Sequence, residues 1–212
     1  LDLVLDVRKI RLTLELREAG ISDSKVLSAI ENIPREIFIP DNFRNQSYEN
    51  IALPIGEEQT ISQPYIVALM TESLELNKKH KVLELGTGSG YQSSILSQLA
   101  RRVYTIERIK SLLVTAENNF KKLKITNIVT KHGDGNLGWI EQNPFDRIIF
   151  TAATDKIPDE FFNYIKDKGI IVAPIVKGFK QLLKKFTKTN DKIKEEYLSD
   201  VLFVPNLKGI KD

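Results

Sequence analysis

Lys81-Val82-Leu83-Glu84-Leu85-Gly86-Thr87-Gly88-Ser89-Gly90-Tyr91 is the stretch whose reading decides the fold. Val82, Leu83 and Leu85 make a short apolar run with one carboxylate, Glu84, set inside it. Such a run reads as a buried strand. Gly86, Gly88 and Gly90 follow at every second position, and Tyr91 then starts a helix. Glycine tolerates positive φ and lets a ligand approach the backbone closely. A strand feeding a glycine turn and a helix is how open α/β sheets build a ligand site at the carboxyl ends of their strands.

The spacing separates two ligand classes. A dinucleotide site reads G-x-G-x-x-G and sets a pyrophosphate on the helix N-terminus. Here the third glycine comes one residue early, and no Lys follows to make a phosphate loop. Glu84 would repel a phosphate, and it suits a cationic ligand such as the amino group and sulfonium of S-adenosyl-L-methionine. Val103 to Ile106 reads as a second strand that ends on Glu107. An acidic residue about 20 residues past the first glycine, at the tip of the second strand, is placed to bind ribose hydroxyls. Alone, Glu107 would read as an ordinary strand-end residue. Beside Glu84 and the glycines it reads as a ligand contact.

Outward from this centre, the chain alternates helical and strand patterns. Toward the N-terminus, Leu5, Ile10, Leu12, Leu14 and Leu16 predict a helix over Leu3 to Ala19, closed by Gly20. A second helix covers Lys25 to Asn32, with Ser22 or Asp23 at its cap and Pro34 beyond. These helices read as a lid or brace on the main sheet, without chemistry of their own. Asp41 to Glu58 has a loop composition. Pro64 suits the first turn of a helix whose stripe is Ile66, Leu69, Met70 and Leu74. By spacing alone Ser62 or Gln63 lies near the cap of that helix, and the plain reading of Ser62 is a helix cap. Toward the C-terminus, the strands are Asn127 to Lys131, Asp146 to Phe150 and Gly169 to Val176, with helices over Leu112 to Leu123 and Pro158 to Ile165. This order predicts a mostly parallel α/β sheet, Rossmann-like, with helices on both faces. Gln181 to Lys188 and Glu196 to Val204 predict antiparallel edge strands joined by a charged turn. The Lys-rich segment from Lys177 to Lys188 reads as a solvated face. His132 reads as a strand-end residue, and Trp139 and Tyr104 as packing groups.

Composition narrows the function. At 212 residues and 42% hydrophobic content, one domain with additions is expected. Its parts are an N-terminal extension (1–58), a cofactor-binding core (59–176) and C-terminal edge strands (177–212). A net charge of +3 with both signs interspersed does not support a dedicated nucleic-acid binder. With no cysteine and two histidines, thiolate zinc sites, a Cys nucleophile and a His-based metal cluster are excluded. No apolar run approaches the roughly 20 residues of a membrane helix, and no cleavage pattern follows the N-terminal apolar residues. A cytoplasmic protein is expected, and a monomer over an oligomer. The first residue is Leu1 rather than Met, which points to a trimmed or processed start.

Several segments together resemble one family. They are Ile55-Gly56, Gln59 to Ala68, Val82 to Gln92, Tyr104 to Arg108, His132-Gly133-Asp134-Gly135, Phe145 to Ile149 with Thr151-Ala152-Ala153, and Phe203-Val204-Pro205. The family is protein-L-isoaspartate O-methyltransferase, within the class I methyltransferases, and Gln59 to Ala68 is the segment most specific to it. The resemblance implies methyl transfer from S-adenosyl-L-methionine to the free carboxylate of L-isoaspartyl residues in damaged proteins, with S-adenosyl-L-homocysteine as product. It makes Ser62 the active-site serine, against the spacing-only reading. It implies a cofactor shell of Ile61, Ser62, Glu84, Gly86, Gly88, Gly90, Glu107, Asp134, Gly135 and Gln181, and substrate contacts at Thr60 and Ser62. Ile175 to Lys180 departs from the glycine-containing loop common in bacterial members near the substrate cleft. The other readings are a class I methyltransferase acting on a small molecule or RNA, a protein that binds S-adenosyl-L-methionine without turnover, and, weakest, a dehydrogenase.

Overall fold

The computed structural model describes residues 7–190 and 192–212. α1 (Val7–Glu18) buries Leu12 and Leu16, one turn apart, while Ile10 and Leu14 of the expected stripe face solvent. Leu5 lies outside the described residues. α2 (Ser24–Asn32) is capped by Asp23, whose carboxylate accepts the Lys25 N–H at 2.8 Å. Its apolar face carries Val26, Leu27 and Ile30.

Asp41 to Glu58 is more ordered than its composition predicts. Short 3-10 turns cover Arg35–Phe38 and Asp41–Gln46. An antiparallel hairpin follows, β1 (Leu53–Gly56) and β2 (Gln59–Ile61). Its two turn residues, Glu57 and Glu58, both take positive φ, 52° and 58°. Two-residue turns of that kind normally select Asn-Gly, so no turn signature marks the hairpin in the sequence. The Glu57 carboxylate is held by Lys211 Nζ at 2.7 Å and by the Ser111 hydroxyl at 3.0 Å.

The main body then runs α3 (Pro64–Ser73), β3 (Lys81–Leu85), α4 (Tyr91–Leu99), β4 (Arg102–Glu107), α5 (Lys110–Lys122), β5 (Ile128–His132), β6 (Phe145–Phe150), α6 (Glu160–Tyr164), β7 (Ile165–Lys177), β8 (Lys180–Thr189) and β9 (Lys192–Val201). One seven-stranded sheet has the order β5-β4-β3-β6-β7-β8-β9. Its first five strands are parallel, and β8 and β9 add an antiparallel edge. The chain steps outward from β3 to β4 and β5, then returns to β3's other side as β6. That reversal opens a crevice at the carboxyl ends of β3 and β6, where ligands bind in such sheets.

Both faces of the sheet's central strands β3, β4 and β6 are covered, so these strands read as nearly continuous apolar runs. Val82, Val103, Ile149 and Val172 pack with Met70, Leu74 and Leu96 on one face. Leu83, Ile106, Ile148 and Phe150 pack with Phe161 and Ile157 on the other. The N-terminal helices lie on α3 and α4 rather than on the sheet, through Leu16, Leu27, Ile30, Val67 and Ile95. α6 is shorter than its pattern predicts, because β7 starts at Ile165, opposite Phe145, ahead of a register shift. Lys184 and Lys185 do not form a solvated face: they are largely covered and pair with Glu195 and Glu75. Among the described residues no helix is long and apolar enough to cross a membrane.

Glu84 interrupts the apolar run of β3. It is wholly buried. Its Oε2 accepts hydrogen bonds from the Ser93 hydroxyl of α4 and, at 2.6 Å, from the Thr105 hydroxyl of β4. Thr105 Oγ1 lies 2.7 Å from Thr87 Oγ1, so a hydroxyl chain ties the carboxyl to the glycine turn. Glu84 Oε1 has no hydrogen-bond partner among the described residues. Burial raises the carboxyl to about 8, a shift that the Ser93 and Thr105 bonds reduce and the Glu107 charge adds to. Between about pH 4.5 and 8 the folded chain therefore holds a proton that the unfolded chain has released. Stability should fall as pH rises through that window and level off above it. Glu84→Gln removes the titration. We expect urea unfolding from pH 5 to 8 to show the variant gaining on the parent by about 1 kcal/mol per pH unit. Parallel profiles for the two proteins would contradict a neutral Glu84.

Candidate functional site

A cavity opens at the carboxyl edge of the sheet, over the end of β3. Its floor is the turn Gly86-Thr87-Gly88-Ser89, and its walls come from β2 and β4, from Thr151 and Ala152 just past β6, and from a segment past β9. Gly86 has φ 101°, and a Cβ there would stand 2.3 Å from Thr151 Oγ1. The Thr151 hydroxyl donates to the Leu85 carbonyl at 2.8 Å, which locks the turn to the end of β6. Gly90 has φ 92°, and a Cβ there would stand 2.6 Å from the Phe120 ring of α5. Glycine at both positions thus lets the turn lie flat between two elements.

Glu107 closes the cavity beside the turn and is nearly buried. Its Oε2 accepts the Gly88 N–H at 2.8 Å and its Oε1 the Ile109 N–H at 2.9 Å. A carboxylate offers about four acceptor positions, so acceptor capacity is left for hydroxyl groups of a ligand. Thr60, Ile61 and Ser62 face the same cavity from the hairpin's exit. The N-cap of α3 is Gln63, and it makes no side-chain cap bond. Of the two residues that spacing puts near the cap, Gln63 and not Ser62 holds the position. The Ser62 carbonyl accepts from Arg35 Nη2 at 3.1 Å.

Of the residues expected around a cofactor, Ile61, Ser62, Gly86, Gly88, Glu107 and Gly135 line the cavity, as does Thr60. Four stand elsewhere. Glu84 is sealed beneath the turn and does not face a cationic ligand directly. Gly90 serves packing against Phe120. Asp134 makes an Asx-type turn, accepting the Asn136 N–H at 2.8 Å on Oδ1, while its Oδ2 accepts the Gly209 N–H at 2.7 Å. Burial pushes the Asp134 carboxyl up, but bonds from Gly209 and Asn136 and the Arg108 charge together hold it below the usual range. Gln181 exchanges two hydrogen bonds with the Phe203 backbone, at 3.0 and 2.6 Å, and so places Phe203 in the cavity wall without lining it.

Sequence reasoning gave no role to several lining groups: Thr87, Tyr91, Thr151 and the segment Phe203 to Leu207. The hydroxyls carry no spacing signal: Thr151 bonds the Leu85 carbonyl, Thr87 meets the Thr105 hydroxyl, and Tyr91 Oη has no hydrogen-bond partner among the described residues. The C-terminal segment is held by isolated contacts: Asn206 N–H to the Ala153 carbonyl and Lys211 N–H to the Arg108 carbonyl, both at 2.7 Å. His132 and Trp139 behave as packing groups. The His132 ring meets the Arg108 carbonyl at 3.1 Å, and Trp139 sits edge-on to Tyr104 at 5.5 Å.

The chain is similar to known proteins over most of its length. The family model of protein-L-isoaspartate(D-aspartate) O-methyltransferase matches residues 7–211. A protein-L-isoaspartate O-methyltransferase of Maricaulis maris is 50% identical over 204 residues, which is 96% of each chain. One of Dictyoglomus turgidum is 54% identical over 194 residues, covering 92% of this chain and 88% of that one. Among solved structures, a protein-L-isoaspartate O-methyltransferase superposes with a TM-score of 0.85 at 30% identity, covering 93% of this chain and 65% of that longer one. A β-aspartate methyltransferase from Plasmodium falciparum, solved in complex with S-adenosyl-L-homocysteine, superposes with a TM-score of 0.83 at 25% identity over 95% of this chain and 99% of that one. A match of this extent and identity, on a fold whose glycine turn and Ser62 share one cavity, places the chain in the protein-L-isoaspartate(D-aspartate) O-methyltransferase family.

Proposed function

We propose that this chain moves a methyl group from S-adenosyl-L-methionine to the free carboxylate of L-isoaspartyl residues in damaged proteins and peptides, which starts their repair through a succinimide. The observation that carries the residue roles is the single cavity faced by both the glycine turn and the Thr60 to Ser62 segment. One part of it suits a nucleoside-bearing cofactor, and the other suits a carboxylate substrate.

The lining fits that cofactor. Gly86 and Gly88 offer bare backbone, and at Gly86 a side chain would collide with Thr151. Glu107, already held by two N–H groups, has acceptor capacity left for ribose hydroxyls. Gly135, Ile106 and Leu85 give an apolar flank for a base. When bound, S-adenosyl-L-methionine supplies a sulfonium methyl as electrophile. The protein's task is then placement. A substrate carboxylate is ionised at neutral pH, so no general base is required to make it a nucleophile. Ser62 donates a hydrogen bond to one carboxylate oxygen and directs the other toward the methyl group. Thr60 borders the same carboxylate. Holding two reactants in an attack geometry is worth about 7–11 kcal/mol in favourable systems. We propose also a monomer acting in the cytoplasm on polypeptides, and a net charge of only +3 supports the choice of protein over nucleic acid.

Two measurements check this. With methyl-labelled S-adenosyl-L-methionine and a matched peptide pair, base-labile methyl ester should form on the isoaspartyl peptide and not on the aspartyl one. Label on neither peptide, with cofactor still bound, would point to another substrate. Ser62→Ala should lower kcat on the isoaspartyl peptide by at least about tenfold, while the cofactor Kd stays within about twofold. A loss of cofactor affinity as large as the loss of turnover would remove Ser62 from the substrate side of the site.

A further inference from the structure

Arg35 sits in the N-terminal segment, in the 3-10 turn Arg35–Phe38, and is completely buried. Its guanidinium donates to three main-chain carbonyls from separate stretches. Nη1 reaches Ser47 O at 2.7 Å, and Nη2 reaches Ile51 O at 3.0 Å and Ser62 O at 3.1 Å. Cζ lies 5.8 Å from the centre of the Tyr91 ring. Tyr91 lines the cavity and begins α4 directly after the glycine turn. The one side chain therefore touches both the Ser62 main chain and the residue that ends the glycine turn.

We propose that Arg35 is the positioning residue for Ser62: its buried fork fixes the Ser62 peptide relative to the glycine turn, and so sets where the Ser62 hydroxyl meets the substrate carboxylate. The inference rests on the reading of Ser62 given above. Three observations support it. First, the Arg35 bond reaches Ser62 itself, in the short link between the end of β2 at Ile61 and the start of α3 at Pro64. β2 is only three residues long, and the hairpin turn before it holds two non-glycine residues at positive φ. Second, the guanidinium makes no ion pair among the described residues, and burial lowers its pKa. A buried cation without a carboxylate is costly to keep. If the site needed only volume, an apolar side chain would serve as well. Third, the planar arginine fork reaches separate acceptors in fixed directions, which a lysine ammonium does not reproduce. The N-terminal segment, read from sequence as a brace without chemistry, would on this view hold the catalytic serine.

The test uses Arg35→Lys, which keeps the charge, and Arg35→Met, which keeps most of the volume. Each is made in the parent and in a Ser62→Ala background. Thermal melts come first, then the Kd for S-adenosyl-L-methionine, then kcat and KM on an isoaspartyl peptide. In the parent background both changes should lower kcat by about tenfold or more, with the cofactor Kd within about twofold. In the Ser62→Ala background the same changes should cost less than about twofold, because residues acting through one another are not additive. Equal losses in both backgrounds, an unchanged kcat, or cofactor affinity falling in step with kcat would overturn the role. So would unfolding of both variants below the assay temperature, which would make Arg35 a residue of the whole fold. A parent protein inactive on isoaspartyl peptide would sink the functional reading itself. An active parent with additive variants would sink only the role of Arg35.

Discussion

The end of β3 is the point on which the rest depends. There the chain must leave a strand buried on both faces and still present open backbone to a ligand. Two main-chain bonds hold that exit between its neighbours: Gly86 N–H to the Ile106 carbonyl at 2.9 Å and Thr151 N–H to the Leu85 carbonyl at 3.0 Å. With both sides fixed, Gly86 has room for no side chain. The crevice is the consequence. It lies where chain order reverses, and the ends of β4 and β6 become its walls.

The buried polar groups divide between stabilising that turn and ordering the approach to it. Glu84 lies under the turn as a carboxyl that burial keeps protonated, joined through Thr105 to Thr87. Asn119 of α5 adds a bond to the Ser89 carbonyl at 3.0 Å. Arg35 acts from the opposite side, on the backbone around Ser62. The C-terminal segment closes the remaining wall. It is fastened at Ala153, Asp134 and Arg108, and finally at Glu57 of the hairpin turn. Groups distant in sequence thus converge on one cavity through main-chain acceptors more than through side-chain pairs.

That convergence explains what the sequence disclosed and what it hid. The parallel core was legible because Val82 to Leu85, Val103 to Ile106 and Ile148 to Phe150 are apolar runs closed by turn residues, a local signal. Glu107 was legible because its position follows from strand length and from the glycine turn. The β1–β2 hairpin was not, since Glu57 and Glu58 occupy a turn that usually takes Asn-Gly. Glu84 was read as facing a ligand because its type and place suited a cation, but alternation along β3 turns it under α4, beside Ser93. Asp134 and Gln181 stand near the cavity, yet their polar atoms serve the backbone at Asn136, Gly209 and Phe203. Arg35 carried no signal at all, because its partners are carbonyls that every residue possesses. Ser62 came from the family resemblance; spacing alone made it a helix cap.

The central claim is that the glycine turn takes the cofactor while Ser62, held in place beside it, takes the substrate carboxylate. A crystal structure with S-adenosyl-L-homocysteine and an isoaspartyl peptide tests it most directly. The ribose hydroxyls should meet Glu107, and the Ser62 hydroxyl should lie within about 2.6–3.2 Å of the isoaspartyl carboxylate. A peptide whose carboxylate binds away from Ser62, or a cofactor product seated outside the turn, would contradict the account.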